Sequence, residues 1–210
     1  HRVGVHIADV SYYVRPNSEI DKEAYSRGTS IYLVDRTIPM LPEKLCNELC
    51  SLKPNEDKLC YSAVFDLDDN AKVHKEWFGR TVINSNRRFT YEEAQEIIES
   101  QSGELAEEIL NVHNLSQVLR KQRFDNHAIN FETEEVKFKL DENSKPIGVY
   151  LKVQKEANFL IEEMMLLANR RVAEKIGKKS SKNKEIKTFV YRVHDEPIED
   201  KLATFKNFVG

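Results

Sequence analysis

The chain has 210 residues, 40% of them hydrophobic and 9% aromatic, with a formal net charge of −3 at pH 7. That apolar content suffices for a packed core and excludes a disordered chain. No apolar run reaches the roughly 18 residues a membrane helix needs, and the slightly acidic balance confines any nucleic-acid path to a local positive stripe or to segments outside this stretch.

The order of elements follows from periodicity and punctuation. Val3, Val5 and Ile7 alternate with Gly4, His6 and Ala8, which predicts a strand with one buried face. Pro16-Asn17-Ser18 breaks it, and a short helix through Ala24 ends at Gly28. Ser30 to Val34 reads as extended, and Ile38-Pro-Met-Leu-Pro42 cannot be helical because each Pro restricts the residue before it. A helix through Leu45 and Leu49 comes next. Residues 59–67 and 71–83 then alternate around Asp68-Asp69-Asn70, a hairpin signal. Thr90 with Glu93 three residues on is a capping-box pattern that opens a helix to about Ser100. Leu105, Ile109, Val112, Leu115 and Leu119 line one face of a longer helix.

A second hairpin turns at Asn143-Ser144, and a helix from about Glu156 to Ile176 ends at Gly177. Lys178-Lys-Ser-Ser-Lys-Asn-Lys184 reads as a basic loop, followed by a strand from Thr188 to Val193 and a last helix after Pro197. Hairpins interleaved with helices, without βαβ alternation, predict an α+β fold with a mainly antiparallel sheet. The chain opens inside an apolar run and ends inside a helix-like one, so residues 1–210 are expected to be part of one domain, truncated at both ends.

No complete catalytic set is visible. The three cysteines form neither a disulfide framework nor a zinc pattern, which predicts a reducing, cytoplasmic setting. Cys46 and Cys50, at helical spacing beside Leu45 and Leu49, read as buried thiols. Asp66, Asp68 and Asp69 could hold a divalent cation, but Asp in a hairpin turn has sufficient backbone reasons to be there. His6 and Asp9 read as a structural polar pair. Arg27-Gly-Thr-Ser-Ile-Tyr32 gathers a cation, a Gly, hydroxyls and an aromatic that can stack on any base, although Tyr32 taken alone also suits a half-buried strand position. Within the helix at 156–176, Glu162 and Glu163 stand side by side among Leu160, Ile161, Met164, Met165, Leu166, Leu167 and Ala168. About 100° apart on the helix, they cannot both reach its rim easily, and a buried carboxylate needs a partner, either a protein Arg or a ligand hydroxyl. Asn169 extends that polar notch.

Several of these blocks resemble, in order and spacing, the catalytic domain of the ribonuclease II/ribonuclease R family. They are Gly4-Val-His-Ile-Ala-Asp-Val-Ser-Tyr-Tyr-Val14, Arg27-Gly-Thr-Ser-Ile-Tyr32, Ile38-Pro-Met-Leu-Pro42 and Leu49-Cys-Ser-Leu52. The resemblance continues through Trp77-Phe-Gly-Arg80, Arg88-Phe-Thr-Tyr91, Ile161-Glu-Glu-Met164 with Ala168-Asn169, and Val190-Tyr-Arg-Val-His-Asp195, and its wording is nearer the ribonuclease R branch. It implies an incomplete RNB-type catalytic domain of a monomeric, Mg-dependent 3′-to-5′ exoribonuclease that processively releases nucleoside 5′-monophosphates from RNA. The family's Mg ligands, an Asp cluster, lie upstream of the Gly4 block, so metal ligands are expected outside this chain and the fragment by itself is expected to be inactive. By position, Tyr32 matches the tyrosine that stacks near the 3′-terminal nucleotide. Phe131 is the candidate for the opposite clamp, with Phe138 the alternative. Glu163 matches a glutamate near the terminal ribose, with Glu162 the alternative, and Arg27 is a further RNA contact. The competing reading is an RNA-binding or scaffold protein of the same fold whose metal carboxylates have been lost.

Overall fold

The computed structural model describes residues 1–129, 135–178, 187–191, 193, 196 and 198–209. It divides into two units, His1–Arg170 and Arg171–Gly210.

The first unit is organised around a three-stranded antiparallel sheet in the order β1–β4–β5, where β1 is Arg2–Ala8, β4 is Asp57–Leu67 and β5 is Val73–Asn84. The β4–β5 hairpin closes as its sequence predicts: the Asp68 carboxylate accepts from the backbone N–H groups of Asn70 and Lys72, both at 3.0 Å. Register sets Val3 opposite Phe65 and Val5 opposite Ala63, so one face of the sheet carries these side chains. Phe65 is fully buried and meets Phe78 edge-to-face, ring centroids 5.9 Å apart. Ile7, expected to be buried, is 59% exposed. On the edge strand β1 it pairs with Tyr61 of the central β4, where the core cluster no longer covers the sheet.

Between β1 and β4 lie α1 (Val10–Tyr13), α2 (Glu19–Arg27), a two-stranded ribbon of β2 (Ile31–Tyr32) and β3 (Thr37–Ile38), and a turn of π-helix at Lys44–Leu49. The last of these replaces the expected α-helix: Cys50 N–H bonds back to Leu45 C=O, five residues earlier. The changed period removes Cys46 from the apolar face, and its thiol is exposed rather than buried; Cys60 is the buried thiol, in β4.

Three helices follow, the last two contributing to the core side of the sheet. α3 (Tyr91–Ser100) opens with the expected capping box, the Thr90 and Glu93 side chains each accepting from the other's backbone N–H. α4 (Ala106–Asp125) and the first part of α5 (Glu156–Gly177) then contribute Leu115, Met164, Leu167 and Ala168 to the cluster that holds Val3, Ala63, Phe65 and Leu67. The buried Gln95 of α3 accepts from Ala157 N–H at 3.0 Å and so satisfies one of the orphan donors at the start of α5. A separate hairpin, β6 (Glu135–Leu140) with β7 (Pro146–Lys152), turns where the sequence predicts, the Asp141 carboxylate accepting from Asn143 and Lys145 N–H.

In the second unit, α6 (Glu199–Val209) forms after Pro197, as expected. The expected strand from Thr188 to Val193 is absent among the described residues: Tyr191 instead packs on Phe189 and its hydroxyl donates to Ala173 C=O at 3.5 Å. Alternation alone supplies no ladder partner, and none is provided among the described residues. The basic stretch at 179–184 lies outside the described residues.

Candidate functional site

Two groups of sequence-selected residues are ordered by distinct local devices. The first is the α2–β2 junction. Ser18 caps α2, accepting from Asp21 N–H, and Gly28 ends it in the left-handed conformation at φ 70°. Arg27, in the last turn, bonds Glu23 through Nε at 2.8 Å and the Pro39 carbonyl through Nη1 at 3.3 Å, tying the helix end to the far side of the ribbon. Ser30 Oγ accepts from Met40 N–H at 2.9 Å and closes the same loop. On this braced ribbon Tyr32 pairs with Thr37 and is 79% exposed, so the half-buried strand role does not apply to it. Arg27, half-exposed, has part of its guanidinium engaged by the protein.

The second group lies between α4 and α5. Arg123 donates from Nε (3.0 Å) and Nη2 (2.6 Å) to one oxygen of Glu163, and from Nη2 to Glu162 at 3.2 Å. One planar guanidinium therefore spans both acids, which resolves how two carboxylates about 100° apart share one helix side. Glu163 is 3% exposed, whereas the side chain of Glu162 is 43% exposed. The contact is one rung of a ladder: Gln117 bonds Glu156, Arg120 lies over the Phe159 ring at 3.7 Å, and Arg123 holds Glu162 and Glu163. Partners advance by three along both helices in the same direction, so α4 and this part of α5 run parallel. A cleft of about 80 Å³ beside Arg123 and Glu163 is lined by Gln122, Asn126 and Arg170. Asn169, expected to extend the notch, is exposed and does not line this cleft.

The remaining acids do not form a metal centre. Arg2 grips Asp66 at 2.7 and 3.1 Å, His74 bonds Asp68 at 2.8 Å and His1 bonds Asp69 at 2.8 Å. The Arg2 guanidinium holds the Asp66 carboxyl below its usual range, as the His74 bond and the Lys72 N–H do for Asp68. These carboxylates are committed to hairpin and sheet contacts, and no group of three metal-ligating side chains gathers among the described residues. The residues present do not fit a magnesium site. His6 and Asp9 take separate partners instead of each other: His6 Nδ1 meets Ser62 Oγ at 2.6 Å, and buried Asp9 meets Arg80 at 3.0 Å.

Glu162 and Glu163 are thus brought together, as are Arg27 and Tyr32; no hydrogen bond or ion pair among the described residues joins the two groups. Phe138 stands half-exposed in β6, paired with Val149, and Phe131 lies outside the described residues. Arg123 was missed in the sequence. The two acids announce that a partner is needed, which a ligand hydroxyl could also supply, and Arg120, Arg123, Arg170 and Arg171 are equal claimants until the helices are packed.

Comparison with known proteins adds independent findings. The RNB domain family matches residues 1–209. The chain is 44% identical over 225 aligned residues to DIS3-like exonuclease 2 of Schizosaccharomyces pombe, covering 100% of this chain and 24% of that protein. It is 39% identical to ribonuclease R of Vibrio cholerae, covering 100% of this chain and 26% of that one. Among solved structures, Mycoplasma genitalium RNase R in complex with double-stranded RNA superposes with a TM-score of 0.87 at 31% identity, over 99% of this chain and 37% of that one. The chain spans about a quarter of the length of these two curated relatives.

Proposed function

The chain belongs to the RNB domain family, and on that premise we propose that it is part of a 3′-to-5′ exoribonuclease acting in the cytoplasm as a monomer. The observation that carries this reading is Tyr32, an aromatic ring 79% exposed at the end of a ribbon braced by Arg27 and Ser30. An exposed ring on a rigid support stacks on any base, which suits an enzyme that must accept every nucleotide in turn. Phe131 is proposed as the opposing clamp, with the half-exposed Phe138 as its alternative. Arg27 offers the phosphate backbone the part of its guanidinium left open. Glu163, with Glu162 as its alternative, accepts the 2′-hydroxyl of the terminal ribose, the group that separates RNA from DNA. Relatives named as exonucleases and a solved RNase R bound to RNA support the reading.

Magnesium would supply the water activation and leaving-group stabilisation of phosphodiester hydrolysis. We place its ligands outside this stretch, whose residues bind and orient the RNA end. The test is the full-length parent protein with 5′-labelled single-stranded RNA. Stepwise shortening from the 3′ end without release of the RNA, with nucleoside 5′-monophosphates formed only when Mg²⁺ is added, is the expected result. Internal cuts, or tight binding with no shortening, would overturn it, and the latter would favour a scaffold that has lost its metal carboxylates.

A further inference from the structure

The three-stranded sheet has a second face, opposite the one that carries Val3, Ala63 and Phe65 to the core, and part of it is open. Register sets the side chains of this face in rows across β1, β4 and β5: Arg2–Asp66–Lys75, Gly4–Val64–Trp77 and His6–Ser62–Gly79. Ser62 is buried, whereas Gly4, His6 and Lys75 are exposed and Trp77 is 51% exposed. Two glycines shape the surface. A Cβ on Gly79 would stand 2.5 Å from the Trp77 indole, and one on Gly4 would strike the His6 imidazole. Each ring therefore leans along its own strand into space that a side chain would fill. His6 is held there by the bond from its Nδ1 to Ser62 Oγ at 2.6 Å.

The charges around the indole are sorted by sign. Arg2 grips Asp66 through Nε and Nη2, which leaves the guanidinium outward, its side chain 74% exposed, and the carboxylate inward, at 29%. Lys75 ends the same row and makes no hydrogen bond or ion pair among the described residues. A cleft of about 380 Å³ opens here, bounded by Arg2, Val64, Asp66, Lys75, Glu76 and Trp77, within the roughly 300–1,000 Å³ that suits a ligand group. We propose that this face is an accessory platform for single-stranded RNA, on which a base upstream of the 3′ end stacks on Trp77 while Lys75 and Arg2 meet the phosphate backbone. Aromatic side chains carried on a sheet hold unpaired bases in this way, and flanking cations track the strand without reading its sequence. A protein partner would need a broader apolar core than one indole and one valine supply. The inference rests on the reading that the parent shortens single-stranded RNA. It adds a contact on the side of the sheet opposite α4 and α5.

The experiment uses the full-length parent enzyme and two 5′-labelled single-stranded RNAs, one just long enough to fill the 3′-end site and one several times longer. Shortening of each gives kcat and KM for wild type, Trp77→Ala, Trp77→Phe and Lys75→Glu, with a melting temperature for each protein. Trp77→Ala should raise KM for the long RNA by about fivefold or more, the lower end of the contribution of one stacked base. The kcat, the short RNA and the melting temperature should be unchanged. Trp77→Phe, which keeps a ring, should recover most of the loss. Lys75→Glu should raise KM for the long RNA alone and flatten its dependence on salt by about one phosphate contact. Should Trp77→Ala not fold, the exposed Lys75 position still decides. An unchanged KM for the long RNA in both Trp77→Ala and Lys75→Glu overturns this inference alone. Equal losses on the two RNAs also overturn it, because the effect then lies at the 3′ end. An earlier melt in Trp77→Ala with the long RNA unaffected assigns the face to packing against another part of the parent and likewise overturns it. A wild-type parent that shortens neither RNA removes the exoribonuclease reading beneath it.

Discussion

Asp9, buried where β1 meets α1, is held by Arg80 of β5, with Nε 3.0 Å from the carboxylate, although the two residues are not on neighbouring strands. Ser11 Oγ donates to the other oxygen of Asp9 at 2.5 Å, and Arg80 also lies over the Tyr61 ring at 5.3 Å. The pair therefore pins the first helical turn of the chain to the far side of the sheet. Arg80→Met leaves the carboxylate short of its charged donor, and a buried acceptor deprived of a partner costs about 1–3 kcal/mol. The expected outcome is a lower denaturation midpoint. Asp9→Asn combined with Arg80→Met should cost less than the sum of the two single changes, as coupled neighbours do; strict additivity would show that the contact contributes nothing.

Tyr32→Ala in the full-length parent should weaken retention of the RNA end by about 1–3 kcal/mol, the contribution of one stacked base. A longer smallest end product, read on a sequencing gel, is the signature. Because the ring is mostly exposed, the melting temperature should barely move. A large loss of stability with unchanged product length would assign Tyr32 to packing instead.

Glu93 links the capping box to acid stability. The Thr90 backbone N–H, and then the Arg87 side chain, bond its carboxylate and hold it below its ordinary value of 4.5. Since the folded form is the stronger acid, the contribution is fully present above 4.5 and fades as pH falls from there through the lower folded value. Melting curves taken from neutral pH downward should show wild type more stable than Glu93→Gln, with the gap closing only below that point. A gap independent of pH would mean that the charge is not what caps the helix.

Phe65→Ala should cost about 3–5 kcal/mol, the usual range for emptying a fully buried aromatic site. Its ring contacts Phe78 and lies in the cluster shared by the sheet, α4 and α5, so little can collapse into the gap. Chemical denaturation measures this directly, and a loss under 1 kcal/mol, roughly that of a volume-conserving core swap, would contradict the packing described.

Features set by neighbours within four residues were legible before any packing was known. The Thr90/Glu93 box, the left-handed stop at Gly28 and the Asp68 and Asp141 turns all formed where the chain itself supplies both partners. The motif blocks likewise carried the family, because they are contiguous stretches of sequence. Tertiary structure alone decided what depends on distant partners. Ile7 is exposed because the core cluster that buries Val3 on the same strand does not reach it, a fact about its neighbours and not about its alternation. Residues 188–193 alternate as a strand does, yet no strand forms there among the described residues, where no ladder receives one. The pairing of Arg123 with Glu163 spans 40 residues of chain. Its energy exists only once two parallel helices exclude water from the carboxylate, so no local pattern could select Arg123 from the other arginines nearby.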